Sequence, residues 1–176
     1  MQREWLRNWH GCAMPVEQAE PAQLLEQLLD ASVEFILVGG AAAVIRGAPV
    51  TTQDIDIVHS RESSNVDRLI QVLPSLEARV VDAAGRNLKP ERASLSGTGQ
   101  SLLRTRLGRV DVLDALHDGR GYAELLASAE TVDFDGRSLR VIDLQTLIEI
   151  KSATGRAKDR IVVPVLLALT RQRAEE

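Results

Sequence analysis

The chain has 176 residues, 44% of them hydrophobic and 26% charged, and a formal net charge of −4. That is one domain's worth of chain, able to bury about 70% of its unfolded surface; its acidity argues against general coating of nucleic acid, and 3% aromatics argue against stacking platforms for single strands. The lone Cys12 excludes an internal disulfide framework and a cysteine-rich zinc site, while the lack of a ~20-residue apolar run or a charged-then-apolar leader leads to the expectation of a cytoplasmic protein with no membrane partner.

Residues 1–13 hold Trp5, Trp9 and Cys12, and Met14 opens a stretch that reads as a natural start. The expectation is an N-terminal extension over 1–13, a core over 14–142 and a small helical part over 143–176. An amphipathic arm that packs on a partner is the alternative for 1–13. Residues 21–31 place Leu24, Leu25, Leu28 and Leu29 on one face of a helix opened by Pro21. VEFILV (33–38) reads as a buried strand ended by Gly39-Gly40, and AAAVIR as a short helix stopped by Gly47 and Pro49. DIDIV (54–58) is a second strand, and Ser63 or Ser64 caps a helix that runs to Leu73.

Residues 76–82 are a weak strand and 83–100 a loop. Gly108 sits between strands near 102–107 and 109–114, a hairpin. YAELLASA is a short helix, and TVDFDGRSLRVI a second hairpin turning at Asp-Gly. Asp143 caps a helix that Gly155 ends. A last helix spans about 157–171, with Pro164 expected to kink it or delay its start. Interleaved helices and strands with antiparallel hairpins make a mixed α/β or α+β domain.

The chemistry concentrates in FILVGGAAAVIRGAPVTTQDIDIV, residues 35–58. Asp54 and Asp56, two apart on a strand, share one face, while Ile55 and Ile57 turn to the core. Carboxylates that close repel unless a cation lies between them, and Mg²⁺ takes such oxygens while keeping positions for phosphates. Gly39 and Gly40 let backbone approach a phosphate, and the N–H groups of the following helix start face an anion. In RVDVLD, Val110 and Val112 should be buried, leaving Asp111 on the open face. Lying beside 54–58, it would complete a three-carboxylate site for two metals or act as general base. The plain alternatives are solvated edge-strand carboxylates and a salt bridge between Asp111 and an arginine.

A GG, a short helix and then T-x-D-I-D resemble the signature of the DNA polymerase beta-like nucleotidyltransferase superfamily, most closely its AbiEii-like, toxin-type members. The resemblance covers most of 33–160 and extends to Lys151 and the segment Gly155-Arg156-Ala157-Lys158-Asp159. It implies a mixed sheet flanked by helices, with a helical C-terminal part. It also implies a catalytic metal site of Asp54, Asp56 and Asp111 for Mg²⁺ or Mn²⁺. Nucleotide contacts would come from Gly39, Gly40, Thr52, Lys151, Arg156 and Lys158. The run Arg160-Ile161-Val162-Val163-Pro164 departs from the family's pattern.

Two basic segments interrupt this acidic chain. Residues 84–109 hold six cations against Glu91, and 151–160 hold four against Asp159. They suit a triphosphate or the backbone of an RNA acceptor; solvated loops are the alternative. His59 and His117 read as structural or surface residues. The expectation is an enzyme moving a nucleoside monophosphate from an NTP to an acceptor hydroxyl. The resemblance implies tRNA or another macromolecule as acceptor, a toxin's role and a cognate antitoxin as partner. The alternatives are a small-molecule (antibiotic) adenylyltransferase, which a deep acidic pocket would favour and a basic rim oppose, and a degenerate nucleotide- or partner-binding protein.

Overall fold

The computed structural model describes residues 19–81 and 86–174; the extension expected over 1–13 lies outside them. Helix α1 (Pro21–Asp30) is followed by β1 (Phe35–Val38), α2 (Gly39–Ile45), β2 (Asp54–His59) and α3 (Ser63–Val72). Next come the short strands β3 (Arg79–Val81) and β4 (Asn87–Leu88), α4 (Arg92–Ser96) and the hairpin β5 (Gln100–Thr105) and β6 (Gly108–Leu113). The chain closes with α5 (Tyr122–Leu125), a 3₁₀ turn, the hairpin β7 (Ala129–Phe134) and β8 (Arg137–Ile142), α6 (Leu144–Thr154) and α7 (Ala157–Ala174).

The strands form one mixed sheet in the order β4-β3-β5-β6-β2-β1-β8-β7. Two pairings are parallel, β2 with β6 and β1 with β8. The expected mixed sheet flanked by helices is the observed architecture. β1 is buried along its whole length, as four apolar residues in the middle of a sheet should be. β2, β5 and β6 alternate instead. Ile55, Ile57, Leu103, Val110 and Val112 are buried on one face, leaving the other for Asp54, Asp56 and Asp111.

Buried polar side chains fix the ends of these strands. Asn65, fully buried, accepts the Glu34 N–H at 2.7 Å and donates to the carbonyls of Glu34 and Ser60 at 2.9 and 2.8 Å. This clips α3 to the entrance of β1. His59 is buried, not at the surface. Its ring nitrogens lie 3.0 Å from the Leu113 carbonyl and 2.9 Å from that of Leu95, tying β2 to the end of β6 and to α4. Arg46, just past α2, donates to the Val141 and Ile142 carbonyls at 2.7 and 2.9 Å and pairs with Glu130.

Two local expectations are corrected. Residues 83–100 are not one loop, because β4 and α4 form within them, α4 seated by buried Leu95. Pro164 neither delays nor interrupts α7. It stands on the exposed side, where a missing backbone N–H leaves a carbonyl that water can satisfy. Gly155 ends α6 as expected, with φ +60°. Asp143 caps α6 by accepting the Thr146 N–H at 2.6 Å.

Candidate active site

β2 and β6 run parallel with Asp56 directly opposite Asp111 and Asp54 opposite Arg109. Neighbouring strands are about 4.8 Å apart, so Asp56 and Asp111 stand side by side on one face although 55 positions separate them in sequence. Arg109 Nε lies 3.7 Å from Asp54 Oδ1. All three aspartates line a cleft of about 620 Å³ walled by the start of α2, the 50–54 segment, the end of β6 and the α6–α7 corner.

Gly39 opens α2 with φ +67°, a left-handed backbone that glycine adopts freely. A methyl group there would lie 1.9 Å from Asp56 Oδ2. Gly40 does the same for Thr52, whose Oγ1 would lie 2.7 Å from an added Cβ. Thr52 Oγ1 in turn donates to the Asp54 carbonyl at 3.0 Å, which holds the turn into β2. The two glycines therefore leave room for the chain's own site residues, a role the sequence reading assigned to phosphate approach alone.

Lys151 and Arg156 line the same cleft; the side chain of Lys158 lies outside the described residues. Lys151 is not an open cation. Its Nζ is 3.0 Å from Asp159 Oδ1, both groups are buried, and Thr154 Oγ1 donates to Asp159 Oδ2 at 2.7 Å. This pair locks α6 to α7 across Gly155. The sequence marks Asp159 only as the one carboxylate of a basic segment, and its partner is eight residues upstream around a glycine corner.

Asp114 and His117 also line the cleft, and the sequence reading placed neither there. They follow β6 directly, so the alignment of β6 with β2 was the signal that would have found them. In the turn that follows them, hydrogen bonding from the Arg120 guanidinium holds the Asp118 carboxyl below its ordinary range. The same contact raises Arg120.

Magnesium chemistry asks for carboxylate oxygens, and Asp56 and Asp111 offer them adjacently, with Asp56 seated in the space that Gly39 leaves. Among the described residues no group of three Asp, Glu, His or Cys side chains is placed to hold a metal ion together, so the expected three-carboxylate site is not formed as a joint ligand set; Asp54 stands against Arg109 instead. The donor set therefore suits an ion that takes one or two carboxylates and completes its shell from substrate phosphates, as Mg²⁺ does.

The fold is that of the nucleotidyltransferases. The sequence matches no protein-family model and no curated protein. Solved structures are similar to it. A Thermotoga maritima protein assigned as a nucleotidyltransferase, TM1012, is 17% identical, with a TM-score of 0.53 over 95% of this chain and 98% of its own. The lincosamide antibiotic adenylyltransferase LnuA, in its lincomycin-bound form, is 14% identical, with a TM-score of 0.59 over 85% and 96%. ANT(2″)-Ia in complex with adenylyl-2″-tobramycin is 17% identical, with a TM-score of 0.55 over 88% and 92%. Among the described residues, no helix is long and apolar enough to cross a membrane.

Proposed function

We propose that the protein is a Mg²⁺-dependent nucleotidyltransferase that moves a nucleoside monophosphate from an NTP to a hydroxyl of a macromolecular acceptor. The observation that carries this reading is the register of β2 and β6, which sets Asp56 beside Asp111 in the wall of a substrate-sized cleft. Asp56 and Asp111 would hold Mg²⁺ or Mn²⁺, with Asp54 beside them against Arg109, and that ion would neutralise phosphate charge and polarise the α-phosphorus. Asp111 accepts the proton of the attacking hydroxyl. A bond forms from the acceptor oxygen to the α-phosphorus, the α–β phosphoanhydride bond breaks, and pyrophosphate leaves. Arg156, exposed in the cleft wall, meets the departing phosphates. Lys151 reaches them only when it exchanges Asp159 for phosphate, so its first role is to hold the α6–α7 wall.

A transfer assay tests this reading, with each α-³²P-labelled NTP, Mg²⁺ and total bacterial RNA, beside Asp56→Ala. Label on RNA that disappears in the variant supports it. NTP binding without transfer to RNA or protein sinks the macromolecular acceptor, and absence of metal-dependent NTP binding sinks the enzyme. The resemblance to toxin-type enzymes extends the proposal to a growth inhibitor neutralised by a cognate antitoxin. Induction in a bacterial host should arrest growth in an Asp56-dependent way.

One observation favours a second reading. The cleft carries Asp54, Asp56, Asp111, Asp114 and Asp159 against Lys151 and Arg156. That excess suits a cationic small-molecule hydroxyl acceptor; one of the similar structures is an antibiotic adenylyltransferase by name and another holds adenylyl-2″-tobramycin. Label appearing on an aminated sugar and not on RNA would establish it.

A further inference from the structure

The open face of the sheet aligns like charges. Arg79 on β3 is opposite Arg104 on β5, Arg104 is opposite Arg109 on β6, and Arg109 is opposite Asp54 on β2. Opposed residues on adjacent strands share a face. In the β3–β4 pairing Val80 faces Leu88 and Val81 faces Asn87, and one further step sets Lys89 at the register position of Arg79. Four cations thus lie in one lateral row, Lys89–Arg79–Arg104–Arg109, ending on Asp54 at the cleft. At about 4.8 Å per strand the row is ~14 Å long. All four residues are exposed.

Like charges directly opposed across strands destabilise a sheet. Here two such pairs, Arg79–Arg104 and Arg104–Arg109, follow one another within the paired strands, with Lys89 just past the end of β4 beyond them, and within the row they meet one carboxylate, Asp54. Arg79 donates to the Ala78 carbonyl at 2.8 Å, and Arg109 reaches Asp54 at 3.7 Å. No hydrogen bond or ion pair among the described residues engages Arg104. An extended anion lying along the row would offset that repulsion. A linear row of guanidiniums matches a phosphate repeat, since each fork takes phosphate oxygens in pairs. The row carries no aromatic side chain, so it would hold backbone and leave bases unread.

We propose that this row is a track for the sugar–phosphate backbone of a single-stranded nucleic acid, which delivers the strand's terminal hydroxyl to Asp56 and Asp111. The proposal rests on the nucleotidyl-transfer reading and names its acceptor class.

Binding of a fluorescent oligouridylate to the full-length chain tests the track without requiring turnover. Anisotropy titrations from about 0.05 to 0.3 M KCl should give a log–log slope near −2.8 for four neutralised phosphates. The double variant Arg79→Gln/Arg104→Gln should flatten that slope by ~1.4 and weaken binding ~25-fold at about 0.1 M salt. Arg104→Lys, which keeps the charge, should keep the slope. Because the arginines repel, the double variant should melt no lower than the parent; if it does melt lower, the comparison of Arg104→Lys with Arg104→Gln decides.

No oligouridylate binding, or an unchanged slope in the charge-removing variants, overturns the track. So does equally tight binding of polyglutamate, which would point to an acidic protein partner. An equal loss of NTP binding in the double variant overturns it as well, by assigning the row to the triphosphate. Failure of the enzyme reading looks different, because the oligonucleotide then binds with the expected slope and no NTP is ever transferred.

Discussion

Replacing Gly39 by alanine tests the site's construction at its tightest point. The added methyl would lie 1.9 Å from Asp56 Oδ2, 2.7 Å from Cγ and 2.9 Å from Cβ. Real contacts of this kind do not fall below 3.0 Å, so the carboxylate and Gly39 must separate by at least 1.1 Å, the difference between 3.0 and 1.9. The φ of +67° adds about 1–2 kcal/mol for an L residue in the left-handed region. That corresponds to a fall in Tm of roughly 2–8 °C for a chain of this size. Misplacing a catalytic group by about 1 Å lowers turnover on the order of 100-fold. The assay pairs thermal melting with Mn²⁺ binding and labelled-NTP transfer, with Gly40→Ala alongside. At Gly40 the clash is with the rotatable Thr52 hydroxyl and φ is not positive, so the loss should be smaller on every readout. A Gly39→Ala protein with parental melting, metal affinity and turnover would refute the claim that this glycine exists to seat Asp56.

Three further outcomes follow from the buried and paired groups. Lys151→Met strands Asp159 in the wall and should destabilise the protein by about 3–5 kcal/mol; Lys151→Met/Asp159→Leu should recover most of that in a denaturant titration, and no recovery would deny the pair. Asn65→Ala leaves the Glu34 N–H and the Ser60 carbonyl without their buried partner, while the Glu34 carbonyl keeps the Ser60 N–H, a loss of about 2–6 kcal/mol at 1–3 kcal/mol per stranded group, readable in urea; a change under 1 kcal/mol would mean that water replaces the side chain. Arg137 hydrogen bonding lowers the Asp30 carboxyl, and Arg120 does the same for Asp118. Folded-state values below the unfolded ones mean that the unfolded chain takes up protons first. These contributions are therefore complete at neutral pH and fade as pH falls through and below the ordinary aspartate range. Arg120→Gln should shrink the stability difference between neutral and acid pH, and an unchanged difference would remove Asp118 from the account.

The parts of the fold set by local pattern were readable in the sequence. The apolar run before Gly39, the alternation in DIDIV and RVDVLD, the Asp-Gly turn and the Asp143 and Gly155 helix ends all lie within a residue or two of their expected places. Asp111 beside Asp54 and Asp56 was an inference about pairing, and the β2–β6 register is where it stands. What escaped depended on contacts between distant segments. Helix α4 forms because Leu95 finds the core. His59, read as structural or surface, takes the structural place because two carbonyls from other elements meet its ring. Lys151 faces Asp159 because a left-handed glycine folds α7 back onto α6. The lateral alignment of Arg79, Arg104 and Arg109 belongs to three strands at once, and no window of sequence contains it.

The parallel alignment of β2 with β6 also bears on how the protein comes into being. Asp56 and Asp111 meet only after a loop of 55 residues has closed, an entropic barrier of roughly 3.5 kcal/mol beyond a constant term. Contacts of such long range are made late, once the sheet has assembled around them. A chain emerging from the ribosome, or one partly unfolded, holds its first two aspartates without the third. Nucleotidyl transfer by this protein would thus report completion of the native state, and activity recovery after dilution from denaturant would time the closing of the central strand pair.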